Sequence, residues 1–228
     1  MTFTDRIKNY EIQTALPSEK MKTSRELYVL ATLKYLCPEE FSSLEKGETP
    51  DLKSTDGLLG IEVTWGGSPS DEIINGESYK FSHAKTYKDK QKCLKKIRAQ
   101  GGDRNSYSIS FPVTTARKDK INIQDIFQKK LKKLDVYREK CQRLGLAIQI
   151  DIPLFLLTDK NWESWLSEVN HDGFDFVIII HWSGIDIYDF KTGEYRSFRT
   201  TREEQQSLKI IARLTAEGII SDNDPEWK

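Results

Sequence analysis

One short run, FDFVIII at residues 174–180, limits the possible fold classes more than any other part of the chain. It is apolar at nearly every position and rich in residues that favour strands. Such a run is typical of a strand covered on both faces, because a strand with one solvated face alternates apolar and polar side chains. Helices must then pack on both sides of its sheet. The run therefore predicts an α/β protein.

Helix, hairpin and strand patterns follow one another along the rest of the chain. We predict, in order, a helix through 24–36 that ends before Pro38, a hairpin at 50–65, a loop at 66–78, a lysine-rich helix at 81–99, a strand at 107–113, a helix at 123–142, a strand at 144–152, a short helix at 161–169, a hairpin at 185–199 and a helix at 202–217. This order indicates one α/β domain of 228 residues with a mixed sheet. A core at about 18–152 carries a basic insertion at 66–120, and residues 153–228 add a sheet extension and a C-terminal helix.

The net charge of zero hides a strongly basic middle of the chain. Between Tyr79 and Arg143 there are nineteen Lys or Arg and six Asp or Glu. A cationic region on a neutral chain favours a surface that meets a polyanion, although solvated helix faces would produce the same composition. The candidate contacts to nucleic-acid phosphates are Lys85, Lys88, Lys92, Lys95 and Lys96.

Several classes of protein are disfavoured by what the sequence lacks. The three cysteines have no CxxC spacing, the three histidines are dispersed, and no phosphate-binding glycine motif occurs. No apolar stretch is long enough to span a membrane, and the start has no signal-peptide core. We therefore expect a soluble cytoplasmic protein without a zinc or nucleotide site.

Two acidic residues stand out in the hairpin at 50–65. A two-residue type I′ turn at 56–57 (DG) places Asp51 directly opposite Glu62. Facing carboxylates repel each other, but a divalent cation between them would reverse that effect. The alternative is a shifted register in which both acids are solvated.

A third acid, Glu26, lies in the apolar stripe of the first predicted helix. A buried carboxylate needs a partner, because an unpaired buried charge is unfavourable. The alternative is that Glu26 lies in the first turn and complements the helix dipole at the surface.

Together, Glu26, the Pro50-Asp51 pair and the strand segment Ile61–Thr64 (IEVT) resemble the PD-(D/E)xK nuclease superfamily. In that superfamily a helix bears Glu, a hairpin bears Asp, and a strand ends in (Asp/Glu)-x-Lys. The resemblance covers about residues 25–150. It implies a restriction-endonuclease-like core, a mixed β-sheet flanked by helices, and hydrolysis of phosphodiester bonds that depends on Mg²⁺ or Mn²⁺.

The chain departs from this pattern at Thr64, which stands where the family has lysine. On a wheel of the helix at 123–142, Lys130 falls inside the apolar stripe and Lys133 on its edge. Some relatives carry the lysine on this helix, so Lys130 is the candidate replacement, with Lys133 and Lys53 as weaker ones. The alternative is that the Lys130 stem covers apolar surface while its ammonium reaches water.

The resemblance also implies roles for these residues. Asp51 and Glu62 would hold the metal, with Glu26 as a direct or water-mediated ligand. Lys130 would orient the attacking water or stabilise charge on the phosphate, and Thr64 could position a metal-bound water. The substrate would be nucleic acid, DNA before RNA, and homodimerisation stays open. The rival hypotheses are an inactive nucleic-acid-binding module and a protein–protein interaction domain.

Overall fold

The structure is a computed structural model that describes residues 16–105, 109–110, 116–150 and 162–221. It contains eight helices within these ranges: α1 (Ser18–Leu36), α2 (Pro38–Phe41), α3 (Pro69–His83), α4 (Tyr87–Ala99), α5 (Ala116–Leu131), α6 (Leu134–Arg138), α7 (Trp162–Glu168) and α8 (Arg202–Glu217). The described strands are β1 (Leu44–Lys46), β2 (Leu52–Ser54), β3 (Leu59–Trp65), β4 (Asp103–Arg104), β5 (Ile109–Ser110), β6 (Arg143–Gln149), β7 (Phe176–His181), β8 (Gly184–Asp189) and β9 (Tyr195–Arg199).

Seven of the strands form one mixed sheet in the order β1-β2-β3-β6-β7-β8-β9. The three central strands, β3, β6 and β7, run parallel to one another. The outer strands pair antiparallel on both sides. The predicted α/β class with a mixed sheet is therefore confirmed.

Helices cover both faces of this sheet. On one face, α1, α2 and α8 contribute Leu33, Phe41 and Leu208 to a core with alternate residues of the central strands. On the other face, α5 and α7 contribute Phe127 and Leu166 to a second core. The two hydrophobic cores, one on each face of the sheet, explain why β7 is apolar on both faces.

The apolar run at 174–180 occupies the position that its sequence predicts. Every residue of β7 is buried. Phe176 and Ile178 belong to the first core, whereas Val177 and Ile179 belong to the second. Alternation along the strand thus sends apolar side chains into both cores.

The structure corrects the predicted loop at 66–78, because most of it belongs to helix α3. Ser68 caps this helix, and its side chain and that of Asp71 form a reciprocal capping box. Pro69 then takes the first helical turn, where its missing N–H is not needed. Ser68, one of the residues that favour a loop in the sequence, is thus the N-cap of a helix.

Two helices that we predicted as continuous are each divided. The lysine-rich helix at 81–99 ends first at His83 and starts again at Tyr87, because Thr86 caps the second helix by accepting a hydrogen bond from Asp89 N. The helix at 123–142 breaks at Lys133, whose backbone is not helical. Of the predicted strand at 107–113, residues 109–110 form β5, and the other positions lie outside the described residues.

The chain divides into two compact units. One comprises Met1–Lys22 and Gly67–Thr114, and the other comprises Thr23–Gly66 and Thr115–Lys228. Apart from Met1–Lys22, the residues of the first unit fall within the range of the predicted insertion at 66–120. The second contains the seven-stranded sheet. No helix in the described ranges has the length and apolar character needed to cross a membrane.

A buried acid on β8 gives the sheet unit a testable pH dependence. Burial opposes ionisation of Asp186, but hydrogen bonds from His181 and Ser197 and the charge of Arg199 hold its pKa below the ordinary value. This stabilisation is complete above the ordinary aspartate pKa and is lost as pH falls through the lowered pKa of the folded state.

We expect Asp186→Asn to lower the free energy of unfolding by about 1.5–3 kcal/mol at pH 7, and by less at pH 3. Urea unfolding at the two pH values measures this difference. Asp172→Asn, at an exposed position, is the control and should have little effect at either pH. An equal loss at both pH values for Asp186→Asn would contradict the linkage.

Candidate active site

The hairpin of β2 and β3 has the predicted register with a different turn. Leu52 pairs with Ile61, as expected from the sequence. Gly57 alone has a positive φ in this turn, +73°, so the turn is not type I′, which needs two such residues. The loop spans four residues, 55–58, and because it closes symmetrically it leaves the register unchanged.

The carboxylate of Asp51 lies beside Glu62, at the point where β2 begins. Asp51 Oδ2 accepts a hydrogen bond from Val63 N at 2.9 Å. Both acids are buried, with exposed fractions of 4 % for Asp51 and 6 % for Glu62. The strand ladder ends at the Leu52–Ile61 pair, one residue short of the predicted Asp51–Glu62 pair, but the charge of Asp51 acts on Glu62. Both acids are buried, so the alternative of two solvated acids is wrong.

Lys130 reaches this pair from helix α5. Its Nζ donates a hydrogen bond to Glu62 Oε1 at 2.6 Å. Glu62 and Thr64 point to the face of the sheet on which α5 packs, because they pair with Leu146 and Ile148 of the second core. The ammonium thus pairs with an acid of the site, contrary to the alternative that it only reaches water.

The surroundings of Glu62 disfavour the ionised form of its carboxyl group. Burial and the negative charge of Asp51 raise its pKa, whereas the charge of Lys130 and hydrogen bonds from Lys130 and Tyr137 lower it. The net effect is a raised pKa, so a single lysine does not compensate for two buried acids. A bound cation would supply the missing positive charge.

Sequence reasoning missed Tyr137 of helix α6. This side chain is 3 % exposed, and its hydroxyl hydrogen-bonds with Glu62. Burial, that hydrogen bond and the charges of Glu62 and Asp51 all raise the pKa of the tyrosine. The helical wheel places Tyr137 in the same stripe as Lys130, but a tyrosine in an apolar stripe is indistinguishable from an ordinary core residue.

Glu26 is buried as predicted but has a different partner. Its Oε2 lies 3.1 Å from Lys46 Nζ of strand β1. Helix α1 packs on the face of the sheet opposite to α5. Within the part of the chain that the structure describes, no three His, Cys, Asp or Glu residues are grouped so that they could hold a metal ion. The structure therefore brings together Asp51 and Glu62 but not the predicted set of three ligands.

The two remaining candidates have different positions. Thr64 is half-buried on β3, two residues beyond Glu62 and on the same face. Lys133 is exposed in the break between α5 and α6. Lys130 is thus the lysine of this helix that meets the acids.

The donor set suits a hard divalent cation. Mg²⁺ prefers carboxylate oxygens, keeps several waters, and is commonly bound by one or two carboxylates together with phosphate oxygens of the substrate. Asp51 and Glu62 meet that requirement without a third protein ligand. Burial first and the charge of Asp51 second raise the pKa of Glu62, and such a cation would offset both.

The predicted phosphate-binding lysines lie in the other compact unit, at the start of α4 and along it. All five are exposed, and Lys92 and Lys96 form ion pairs with Asp89 and Glu77. Lys92, Lys95 and Lys96 also line an open groove of about 470 Å³ between α3 and α4.

Comparison with known proteins adds no relative: no family model, no curated protein and no solved structure matches this chain.

Proposed function

We propose that this protein is a metal-dependent nuclease that hydrolyses phosphodiester bonds, in DNA more readily than in RNA. The observation that carries the proposal is the contact between Lys130 and Glu62 beside Asp51. Two acids and a lysine meet, although the lysine comes from a different element than the family pattern gives. The fold brings together residues up to 79 positions apart in the sequence, and it buries two like charges although that is unfavourable, which is typical of functional sites.

The arrangement of elements also supports a restriction-endonuclease-like core. An acid-bearing hairpin precedes a strand that carries the second acid, and a helix after that strand packs on the sheet. Strand β6 then pairs parallel with β3. This is the order that the resemblance predicts for Asp51, Glu62 and Lys130.

In the proposed mechanism, Asp51 and Glu62 would hold Mg²⁺ or Mn²⁺ through their carboxylate oxygens, and the chemistry supplied there would be that of a Lewis acid with a more acidic bound water. Tyr137 holds the Glu62 carboxylate in place through its hydrogen bond. Lys130 places a positive charge beside the reacting phosphate, where it stabilises developing negative charge and orients the attacking water. Glu26 pairs with Lys46 of β1 and, among the described residues, is not grouped with Asp51 and Glu62 as a third metal ligand.

A cleavage assay tests the proposal. The protein is incubated with plasmid and with single-stranded DNA in Mg²⁺, in Mn²⁺ and in EDTA. We expect cleavage that requires metal. Intact DNA in both metals, with retained binding, would instead support the inactive nucleic-acid-binding module, and absence of binding at low salt would support the protein–protein interaction domain.

The lysines of α4 give a separate prediction about binding. We expect the double variant Lys88→Ala/Lys95→Ala to weaken duplex binding at low salt and to lower the slope of log K against log [salt] by about 2, because each phosphate contact contributes about 0.9. Fluorescence anisotropy at several salt concentrations measures the slope. Lys209→Ala, at an exposed position on α8, should leave it unchanged. An unaltered slope in the double variant would remove these two lysines from the interface.

A further inference from the structure

Tyr87 is the most exposed of the large hydrophobic side chains in the described ranges. It is 78 % exposed and is the first residue of helix α4. Because most of this ring lies outside any core, its faces are accessible to a ligand at the surface.

Two further aromatic rings lie at the end of helix α3. The rings of Tyr79 and His83 are in contact, with centroids 4.2 Å apart and planes tilted by 34°, and His83 Nδ1 contacts Tyr79 O at 2.8 Å. His83 is the last residue of α3, and only residues 84–86 separate it from Tyr87. Tyr79 and His83 therefore lie before the α3–α4 connection and Tyr87 directly after it, each four residues from the next.

Positive charge surrounds these rings. Between Tyr79 and Ala99 the chain has eight Lys or Arg and one Asp. Cys93, Leu94 and Ile97 occupy the buried side of α4. At 100° per residue, Lys88 and Lys95 fall on the exposed side, about a quarter-turn around the helix axis from Tyr87. An exposed aromatic ring and exposed lysines on one helix are the two components of a surface that binds single-stranded nucleic acid.

We propose that the α3–α4 connection, with Tyr79, His83, Tyr87, Lys88 and Lys95, binds single-stranded nucleic acid by stacking unpaired bases on Tyr87. This inference rests on the proposed function in that it names the class of substrate. In a duplex each base is covered by its neighbours, so a surface ring has no base face to meet. Unpaired bases offer such a face whatever their sequence. The lysines contact the adjacent phosphates and add affinity without reading sequence.

The test measures binding without cleavage, in EDTA, with a fluorescent oligo(dT) and a duplex of equal length. We expect Tyr87→Ala to weaken binding of the single strand by about 5- to 150-fold and to leave duplex binding unchanged. Tyr87→Phe keeps the ring and should bind like the wild type. Ile73→Ala, an exposed apolar position on α3, is the matched control and should have no effect.

Three other outcomes separate this inference from the proposed function. If Tyr87→Ala binds the single strand as well as the wild type does, stacking at Tyr87 is wrong, even if the protein cleaves DNA. If the single strand binds through Tyr87 but no metal supports cleavage, the nuclease proposal fails and this inference stands. If neither nucleic acid binds at low salt, both fail.

Discussion

We expect Glu62→Gln to abolish metal-dependent cleavage, with a loss of at least about 100-fold, and to make the protein more stable at neutral pH. Glutamine keeps the size of the side chain but cannot offer a charged oxygen to the metal, and even changes in residues behind metal ligands typically reduce affinity or activity 10- to 100-fold. It also removes one of two buried acids that repel each other. Activity and stability should thus change in opposite directions.

The pH dependence of that stability follows from the raised pKa of Glu62. A carboxyl whose pKa is higher in the folded state than in the unfolded chain destabilises the fold when it is ionised. The penalty is absent below the ordinary glutamate pKa, grows as pH rises, and is complete above the raised pKa. In EDTA, the stability gained by Glu62→Gln should therefore be largest at neutral pH and vanish in acid.

Thermal unfolding in EDTA across pH, together with the cleavage assay, measures both effects. Glu168→Gln, at the exposed end of α7, serves as the control and should change neither. A Glu62→Gln variant that cleaves normally would contradict the metal site. A variant that is less stable at neutral pH would contradict the account of the two acids.

Lys130→Met should also be nearly inactive, with cleavage about 10²–10³-fold slower than that of the wild type. Methionine keeps much of the apolar stem and removes the ammonium that meets Glu62 at 2.6 Å. Unlike Glu62→Gln, this change should destabilise the protein at neutral pH, by about 1.5–3 kcal/mol, because Glu62 loses a charged hydrogen-bond donor beside Asp51.

Lys133→Met is the matched control for this second variant, because Lys133 is exposed three residues further along the chain. It should retain activity and stability. Lys130→Arg keeps the charge and should retain part of the activity. If Lys130→Met cleaves at the wild-type rate, the lysine has no catalytic role, although Asp51 and Glu62 could still bind a metal.

The residues of the site differ in how far the sequence predicts them. The register that places Asp51 beside Glu62 depends only on the symmetry of the loop. It is therefore predicted correctly even though the predicted type I′ turn at Gly57 is wrong. Lys130 was predictable because a charge in an apolar stripe is conspicuous. Tyr137 was not, since an aromatic residue belongs in such a stripe.

Other features could not be predicted because periodicity reports burial but not partners. The wheel placed Glu26 correctly in the interior, yet only the sheet arrangement shows that Lys46 lies beside it. Helix α3 was missed although Ser68 and Asp71 carry the signature of a capping box. The glycines and serines of this segment are typical of a loop, so the sequence favours a loop over a helix there.

The most direct test of the central claim is a titration of the protein with Mn²⁺, followed by electron paramagnetic resonance of the free ion, with and without DNA. We predict one bound Mn²⁺ per chain for the wild type, and loss of that binding in both Asp51→Asn and Glu62→Gln. No Mn²⁺ binding by the wild type in either condition, or equal binding by the wild type and both variants, would contradict the claim that these two carboxylates form a metal site.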